Sequence, residues 1–315
     1  MLEKRQNTKI ILIPYAEKQG ANTGVNISKA SDRQTLYMKN CCVSACSAKH
    51  NNENCDVAIV TNIDFPEIYV RILENNDVSI IKVPFDMFYF SESYTWSLAF
   101  YKLCAIYRVV RQFDYEAYAY LDADVYVQSS FDAIWSECDQ NIMLYDISHG
   151  LQVRDYRIFV DEVSSFLGKE ILVTHYGGEF FAANRENALK FSAVCREIYE
   201  EMVEESFETT KGDEFIVSLA ALQLREQVKN ASAYIYRFWT GSFRLVSTCY
   251  EFNAVTIIHV PDEKERGIIK LFDRYLRKNK IPSNSAVYRT LHLLKPSLRT
   301  MVISKVKRLI KVVGR

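Results

Sequence analysis

The chain has 315 residues, enough for one large domain or two small ones, and 49% of it is apolar, which allows a sizeable core. Its 39 basic and 39 acidic residues cancel, which argues against general nucleic-acid binding. No stretch reaches the ~18 uninterrupted apolar residues of a membrane-spanning helix, and the eight cysteines form no CxxC pair and no regular disulfide framework.

The N-terminus, Met1–Lys9, is polar and charged, and the run Ile10–Pro14 is too short for a signal-peptide core. With the cysteine pattern, this predicts a cytoplasmic protein. Lys9–Tyr15 (KIILIPY) reads as a first buried strand ended by Pro14, and the polar Ala16–Asn26, with two glycines, as a loop. Asp32–Ala48 carries Leu36, Met38, Val43 and Ala45 and reads as a helix capped by Ser31 or Asp32. Cys42 and Cys46 lie at helical spacing there, beside Cys41; zinc could use them, but small buried side chains explain them better.

Asp56–Thr61 (DVAIVT) is a second buried strand with Asn62 at its end, Pro66–Asn75 a helix, and Val78–Val83 a third strand. Ser97–Gln112 is a long helix, with apolar residues at Leu98, Tyr101, Ala105 and Val109. Ala117–Leu121 is a fourth strand, continued by Val125–Val127. Tyr176–Asn184 reads as a turn followed by an apolar strand, Glu186–Glu205 as a charged amphipathic helix, and Phe215–Leu224 as an apolar helix after Gly212-Asp213-Glu214. Ala254–Val260 (AVTIIHV) is a late strand containing His259. Strands alternating with helices predict an α/β fold with a mainly parallel, Rossmann-like sheet covered by helices on both faces.

From Arg274 to Arg315 there is no acidic residue, and Leu298, Val302, Val306, Leu309 and Val313 fall near one stripe of a helix. A basic amphipathic end suits an anionic membrane surface; a solvated helix packed on the domain has the same pattern. The chain thus divides into a catalytic domain, 1–265, and a basic helical extension, 266–315, which would hold the protein on the inner face of the cell membrane.

The most informative stretch is Tyr120–Val127 (YLDADVYV). Side chains at i and i+2 of an extended segment point the same way, so Asp122 and Asp124, with Ala123 between them, are expected to face one spot. Close carboxylates repel unless a positive charge lies between them, and a divalent cation carrying a diphosphate meets that need. Asp also suits solvated turns, but this pair is flanked by apolar residues on both sides. Ligands of parallel sheets bind beyond the carboxyl ends of the strands, where Tyr15, Asn62 and the two Asp residues all fall.

Ser97–Leu103 (SLAFYKL) followed by Tyr118–Val127 (YAYLDADVYV) resembles the core of family 8 glycosyltransferases, which include glycogenin and bacterial lipopolysaccharide galactosyltransferases. The likeness spans roughly residues 9 to 265 and is specific in this central block. It implies a GT-A fold and a retaining transfer of a hexose from a nucleotide sugar, a UDP-hexose, to a glycan or lipid-linked acceptor in surface polysaccharide synthesis. Asp122 and Asp124 match the motif that holds manganese (or magnesium) and the nucleotide diphosphate, and His259 a late-strand histidine that completes the metal site. Carboxylate oxygens with one imidazole suit manganese. Lys102 matches a basic residue near the donor, Tyr15 a nucleotide contact, and Gly177-Gly178-Glu179 a turn lining the sugar pocket. Asp213 and Glu214 match a pair facing the reacting carbon, with Glu179 a third candidate; both also suit the start of a helix. Trp239, Tyr236, Phe238 and Phe243 form an aromatic cluster that suits a sugar or a core.

Gly177-Gly178 with Asp213-Glu214 is also similar, more weakly, to the family 6 retaining galactosyltransferases. Other classes compete. A haloacid-dehalogenase-type phosphatase would also end a strand in DxD, but Gly212-Asp213 lacks its second downstream acid. A sugar-nucleotide pyrophosphorylase would need a Gly-rich basic loop after the first strand. A non-catalytic sugar-binding or membrane scaffold is the remaining alternative.

Overall fold

In the computed structural model, which describes residues 7–18, 32–91, 94, 96–241 and 252–294, strands and helices alternate from the start. The first half holds β1 (Lys9–Tyr15), α1 (Arg33–Asn51), β2 (Asp56–Thr61), α2 (Glu67–Glu74), β3 (Ser79–Lys82), α3 (Tyr101–Gln112), β4 (Ala117–Leu121) and β5 (Val125–Val127). Then come α4 (Asp132–Cys138), β6 (Ile142–Asp146), α5 (Arg154–Leu167), β7 (Tyr176–Asn184), α6 (Arg185–Glu204) and α7 (Asp213–Gln223). The short strands β8 (Val228–Asn230), β9 (Ile235–Arg237) and β10 (Ile257–His259) precede α8 (Gly267–Arg274) and α9 (Asn284–Thr290).

Seven strands form one sheet in the order β3-β2-β1-β4-β7-β6-β8. The pairs β1–β2, β1–β4, β2–β3 and β6–β8 are parallel, and β7 runs antiparallel to both of its neighbours. The fold is therefore α/β with a mostly parallel central sheet, compatible with a Rossmann-like arrangement. Side-chain alternation sets the layers. Ile11, Ile13, Val57, Ile59, Ala119 and Phe180 face one core with α1, while Ile10, Leu12, Ala58, Val60, Tyr120 and Phe181 face the other with α3, α6 and α7.

β1 spans Lys9–Tyr15 as expected, with Pro14 paired to Val60 of β2 rather than ending it, while other boundaries move by a few residues. The helix expected from Ser97 begins at Tyr101, after a turn in which Ser97 N bonds Tyr94 O and Ala99 N bonds Trp96 O. Tyr176–Asn184 is strand throughout, with Gly177 and Gly178 inside it rather than in a turn.

α1 is capped by Asp32, whose side chain accepts from Thr35 N, and it is buried over much of its circumference. The reason lies in its polar residues, which bond the backbone of the neighbouring segment instead of water. Ser47 Oγ accepts from Val127 N at 3.0 Å and donates to Ser44 O at 2.9 Å. Asn51 Nδ2 donates to Val127 O at 3.1 Å, and Ser44 Oγ to Asp122 O at 3.3 Å. Asn52 Oδ1 accepts from Phe131 N at 2.7 Å. α1 is thus a template for the turn that carries the Asp pair. Cys41, Cys42 and Cys46 are buried free thiols, and burial pushes Cys46 up to about 12.

The packed structure continues past residue 265. Ile268, Leu271, Phe272, Val287, Leu291 and Leu293 join the core on the α1 side, with α8 against α1 and α9 against α8. The stripe Leu298–Val313, expected to meet a membrane, and Phe243 lie outside the described residues. No helix among the described residues is long and apolar enough to cross a membrane.

Replacing Ser47 by Ala leaves the Val127 N–H buried without its acceptor, which costs about 1–3 kcal/mol. Urea denaturation should record that loss. Glu67→Ala, at an exposed pair with Arg71, should stay within about 0.5 kcal/mol of wild type.

Candidate active site

In an open α/β sheet the crevice lies where the strand order reverses. Here β2 and β3 lie on one side of β1, and β4, β7 and β6 on the other. β7 runs against β4, so its first residues reach the same edge as the end of β4; Asp122 N donates to Glu179 O at 3.0 Å. A second sheet, β5-β10-β9, closes the crevice. Its register sets His259 opposite Val125 and beside Arg237, and Val260 N bonds Asp124 O at 3.1 Å. The cavity at this edge has a volume of about 430 Å³.

Asp122, Ala123 and Asp124 do not form the extended pair expected from i, i+2 geometry. The chain leaves the large sheet at Leu121 and enters the small one at Val125, so the three residues lie between the two strands, with Ala123 and Asp124 in a turn. The carboxylates converge all the same: ligand atoms of Asp122, Asp124 and His259 all lie within 4.8 Å of one another. Asp124 is 2% exposed, and its Oδ2 is 3.1 Å from both His259 Nε2 and Lys264 Nζ. Burial would raise its carboxyl, but Lys264 and His259 hold it well below the usual range. Asp122 Oδ1 accepts from Lys102 Nζ at 2.8 Å.

His259 is held from both sides, since Glu179 Oε1 lies 3.1 Å from its Nδ1. Burial pulls the imidazole down, yet Asp124 and Glu179 outweigh it and push it up to about 9. The residues fit a divalent cation such as manganese or magnesium. Two carboxylates and one imidazole are a suitable donor set, and a carboxylate on the far ring nitrogen is the usual support of a metal-bound histidine. An ion bound there must displace the His259 proton.

Glu179 is the candidate whose role changes. It is 1% exposed and takes two bonds from Arg237, at 2.8 and 2.7 Å, besides His259. It does not line the cavity, so it supports His259 rather than facing a reacting carbon. Asp213 and Glu214 do line the cavity. They are also the first two residues of α7, so the helix-start reading and the site reading hold together. Asp213 Oδ2 is 3.1 Å from Lys102 Nζ. Burial raises its carboxyl to about 7; Lys102 offsets this in part, and the Asp122 and Glu214 charges reinforce it. Glu214 Oε2 is 3.1 Å from His175 Nε2, and its Oε1 3.2 Å from Arg237. Those partners hold Glu214 low against the cost of burial.

Gly177 and Gly178 make room for these acids. A Cβ on Gly178 would fall 1.9 Å from Asp213 Oδ2, and one on Gly177 1.9 Å from Glu179 Oε2. Tyr15 lines the cavity, stacks on Tyr37 at 5.8 Å and donates to Glu17. Asn62 does not line it. Its side chain bonds Glu17 N at 3.0 Å and Glu17 O at 2.8 Å, which ties the end of β2 to the segment after β1. Of the aromatic cluster, Trp239 lines the cavity, while Phe238 is core. Lys264, Arg237, Arg33, Tyr37 and His175 were not anticipated. Arg237 has one legible signal, a lone cation among the aromatic residues from Tyr234 to Trp239; Lys264 lies in a charged run with Arg266, where nothing singles it out. No protein-family model matches the chain, and no curated protein matches it.

The Asp213 shift has a pH signature. A carboxyl at about 7 in the fold and ~3.9 in the unfolded chain binds its proton more tightly when folded, so its contribution to stability falls as pH rises from about 4 to 7 and then levels off. Metal-free Asp213→Asn protein should therefore lose less stability than wild type across that window, as read by denaturation at successive pH values.

Proposed function

We propose that the protein is a divalent-metal-dependent glycosyltransferase of the GT-A type. It moves a hexose from a nucleotide sugar, a UDP-hexose by the family resemblance, to a glycan or lipid-linked acceptor on the cytoplasmic side of the cell membrane. The observation that carries this reading is the convergence of Asp122, Asp124 and His259 at the strand-order reversal, with Lys102 and Lys264 on either side. The volume suits a small-molecule ligand, for which sites run from about 300 to 1,000 Å³.

A divalent ion held by Asp122, Asp124 and His259 would neutralise the diphosphate and assist its departure as a Lewis acid. Lys264 and Lys102 supply point charges to the phosphate oxygens. The Tyr15–Tyr37 stack offers an aromatic wall to the base, with Glu17 and Arg33 as polar groups beside it. In the transfer, an acceptor hydroxyl oxygen bonds the anomeric carbon. The bond from that carbon to the phosphate oxygen breaks, its electron pair leaves with the nucleoside diphosphate, and the hydroxyl proton passes to the departing phosphate oxygen. Glu214, ionised and open to the cavity, faces the positive charge that develops on the sugar, as in other oxocarbenium-like reactions. Asp213 receives a sugar hydroxyl.

Manganese-stimulated hydrolysis of UDP-hexoses by the purified protein is the expected basal activity, and Asp124→Ala should lower it by roughly 10³-fold, since several kcal/mol of charge stabilisation is lost. Release of phosphate from simple phosphomonoesters without a nucleotide would favour a phosphatase instead. Glu179→Gln keeps all three ligands but frees the far side of His259, so manganese affinity measured by calorimetry should fall about 10–100-fold.

A further inference from the structure

The cavity has a direction that contacts alone define. At one end Tyr15 stacks on Tyr37, and Lys264 Nζ lies 5.9 Å from the Tyr37 ring and 3.1 Å from Asp124 Oδ2. Beyond the Asp pair, Asp122 leads through Lys102 to Asp213. Beyond Asp213, Gly212 lies against Trp96, Trp96 Nε1 bonds Thr210 O, and the Lys211–Asp155 pair lines the same cavity. If the first end takes the nucleotide and the middle its diphosphate and sugar, the far end is where a second substrate must enter. We propose that Trp96 is the platform of an acceptor subsite that takes a neutral pyranose residue of a glycan. This rests on the glycosyltransferase reading above.

Trp96 is held in place on two sides. Its Nε1 donates to Thr210 O at 3.1 Å, and its Cβ and ring pack on Gly212, where an added Cβ would fall 2.8 Å from Trp96 Cβ. Gly212 has φ +63°, a conformation that glycine adopts without strain. That backbone brings Trp96 directly beside the start of α7, so a sugar on the indole lies next to Asp213 and Glu214. The loop beneath is anchored as well. Glu162 accepts from Thr209 Oγ1 and Thr210 Oγ1 at 2.5 Å each, and Tyr94 OH bonds both Thr209 N and Thr209 O. A platform fixed before binding loses little entropy when a ligand arrives.

The chemistry of this end favours a neutral sugar. A half-buried indole offers an apolar face to the C–H face of a pyranose and gives no affinity for an anion. Lys211 Nζ is already paired with Asp155 Oδ1 at 2.5 Å, and both residues line the cavity. The pair presents a donor and an acceptor for hydroxyls rather than an unbalanced positive charge. The cations suited to phosphate, Lys102 and Lys264, lie by the Asp pair instead.

The test uses the full chain with manganese and whichever UDP-hexose wild type hydrolyses, and a panel of neutral disaccharides and sugar phosphates as acceptors. In Trp96→Ala the acceptor KM should rise about 10-fold more than the donor KM, and Trp96→Phe should restore most of that loss. Calorimetry of the best disaccharide with the UDP-loaded protein should weaken in the same order. Equal changes in both KM values, an unchanged acceptor KM, or a preference for sugar phosphates would each overturn the subsite while leaving the glycosyltransferase reading intact. Absence of any nucleotide-sugar hydrolysis by wild type would overturn both.

Discussion

Carboxylate repulsion is the constraint around which this structure is organised. Asp122, Asp124, Glu179, Asp213 and Glu214 crowd one edge of the sheet, and four cationic groups, Lys102, Lys264, Arg237 and His259, are threaded between them. Charges in a protein interior interact far more strongly than in water, and removing one partner of such a pair is costly. Leaving His175 aside, five acids face four cations. Asp213 shows the crowding: burial first, then the Asp122 and Glu214 charges, raise its carboxyl to about 7, while Asp124, Glu179 and Glu214 are held low. A divalent ion that displaces the His259 proton adds two charges and removes one. With Asp213 ionised as well, that net gain of one would balance the five acids.

Bringing these charges together depends on backbone geometry more than on side-chain reach. β7 runs against β4, so Glu179 and the two preceding glycines begin at the edge where β4 ends. Without side chains at 177 and 178, the strand passes within contact distance of Glu179 and Asp213. The small sheet then carries His259 and Arg237 side by side. The turn between β4 and β5 contributes Asp122 and Asp124, β7 Glu179 and the start of α7 Asp213 and Glu214, and each leaves its neutralisation to cations on other segments, so no segment forms the site alone.

The large features were legible because they rest on periodicity. β1, β2 and β4 are short continuous apolar runs, buried almost throughout, the mostly parallel sheet follows from strands alternating with helices, and the two Asp residues stand out because nothing near them explains a solvated turn. Other parts are not encoded that way. Asp122 and Asp124 meet through a turn between two sheets, which an i, i+2 rule cannot describe. Asn62 lies at the correct strand end, but its amide is spent on Glu17. Glu179 looked like a free acid because its partners, Arg237 and His259, lie 58 and 80 residues away. β8 and β9 have three residues each, too few for a period to show, whereas β10 falls inside the expected strand Ala254–Val260.

The C-terminal part bears on the site through Lys264. That residue follows a short turn, Pro261–Glu263, at the end of β10. Glu263 is 3% exposed and accepts from Thr240 Oγ1 and from Gly267 N at 3.0 Å, with His292 Nδ1 also 3.0 Å away. Asn40 of α1 bonds Lys264 O at 3.1 Å. One buried carboxylate therefore joins the loop after β9, the start of α8 and the segment after α9, and the backbone of Lys264 is fixed among them. A lysine on a flexible stem is a poor clamp unless its root is held. The sequence pattern beyond 265 is compatible with a membrane-facing extension or with packing on the domain, and α8 and α9 pack so as to brace the cation that neutralises Asp124. On the glycosyltransferase proposed above, loosening that brace would weaken the hold on a diphosphate without altering Lys264 itself.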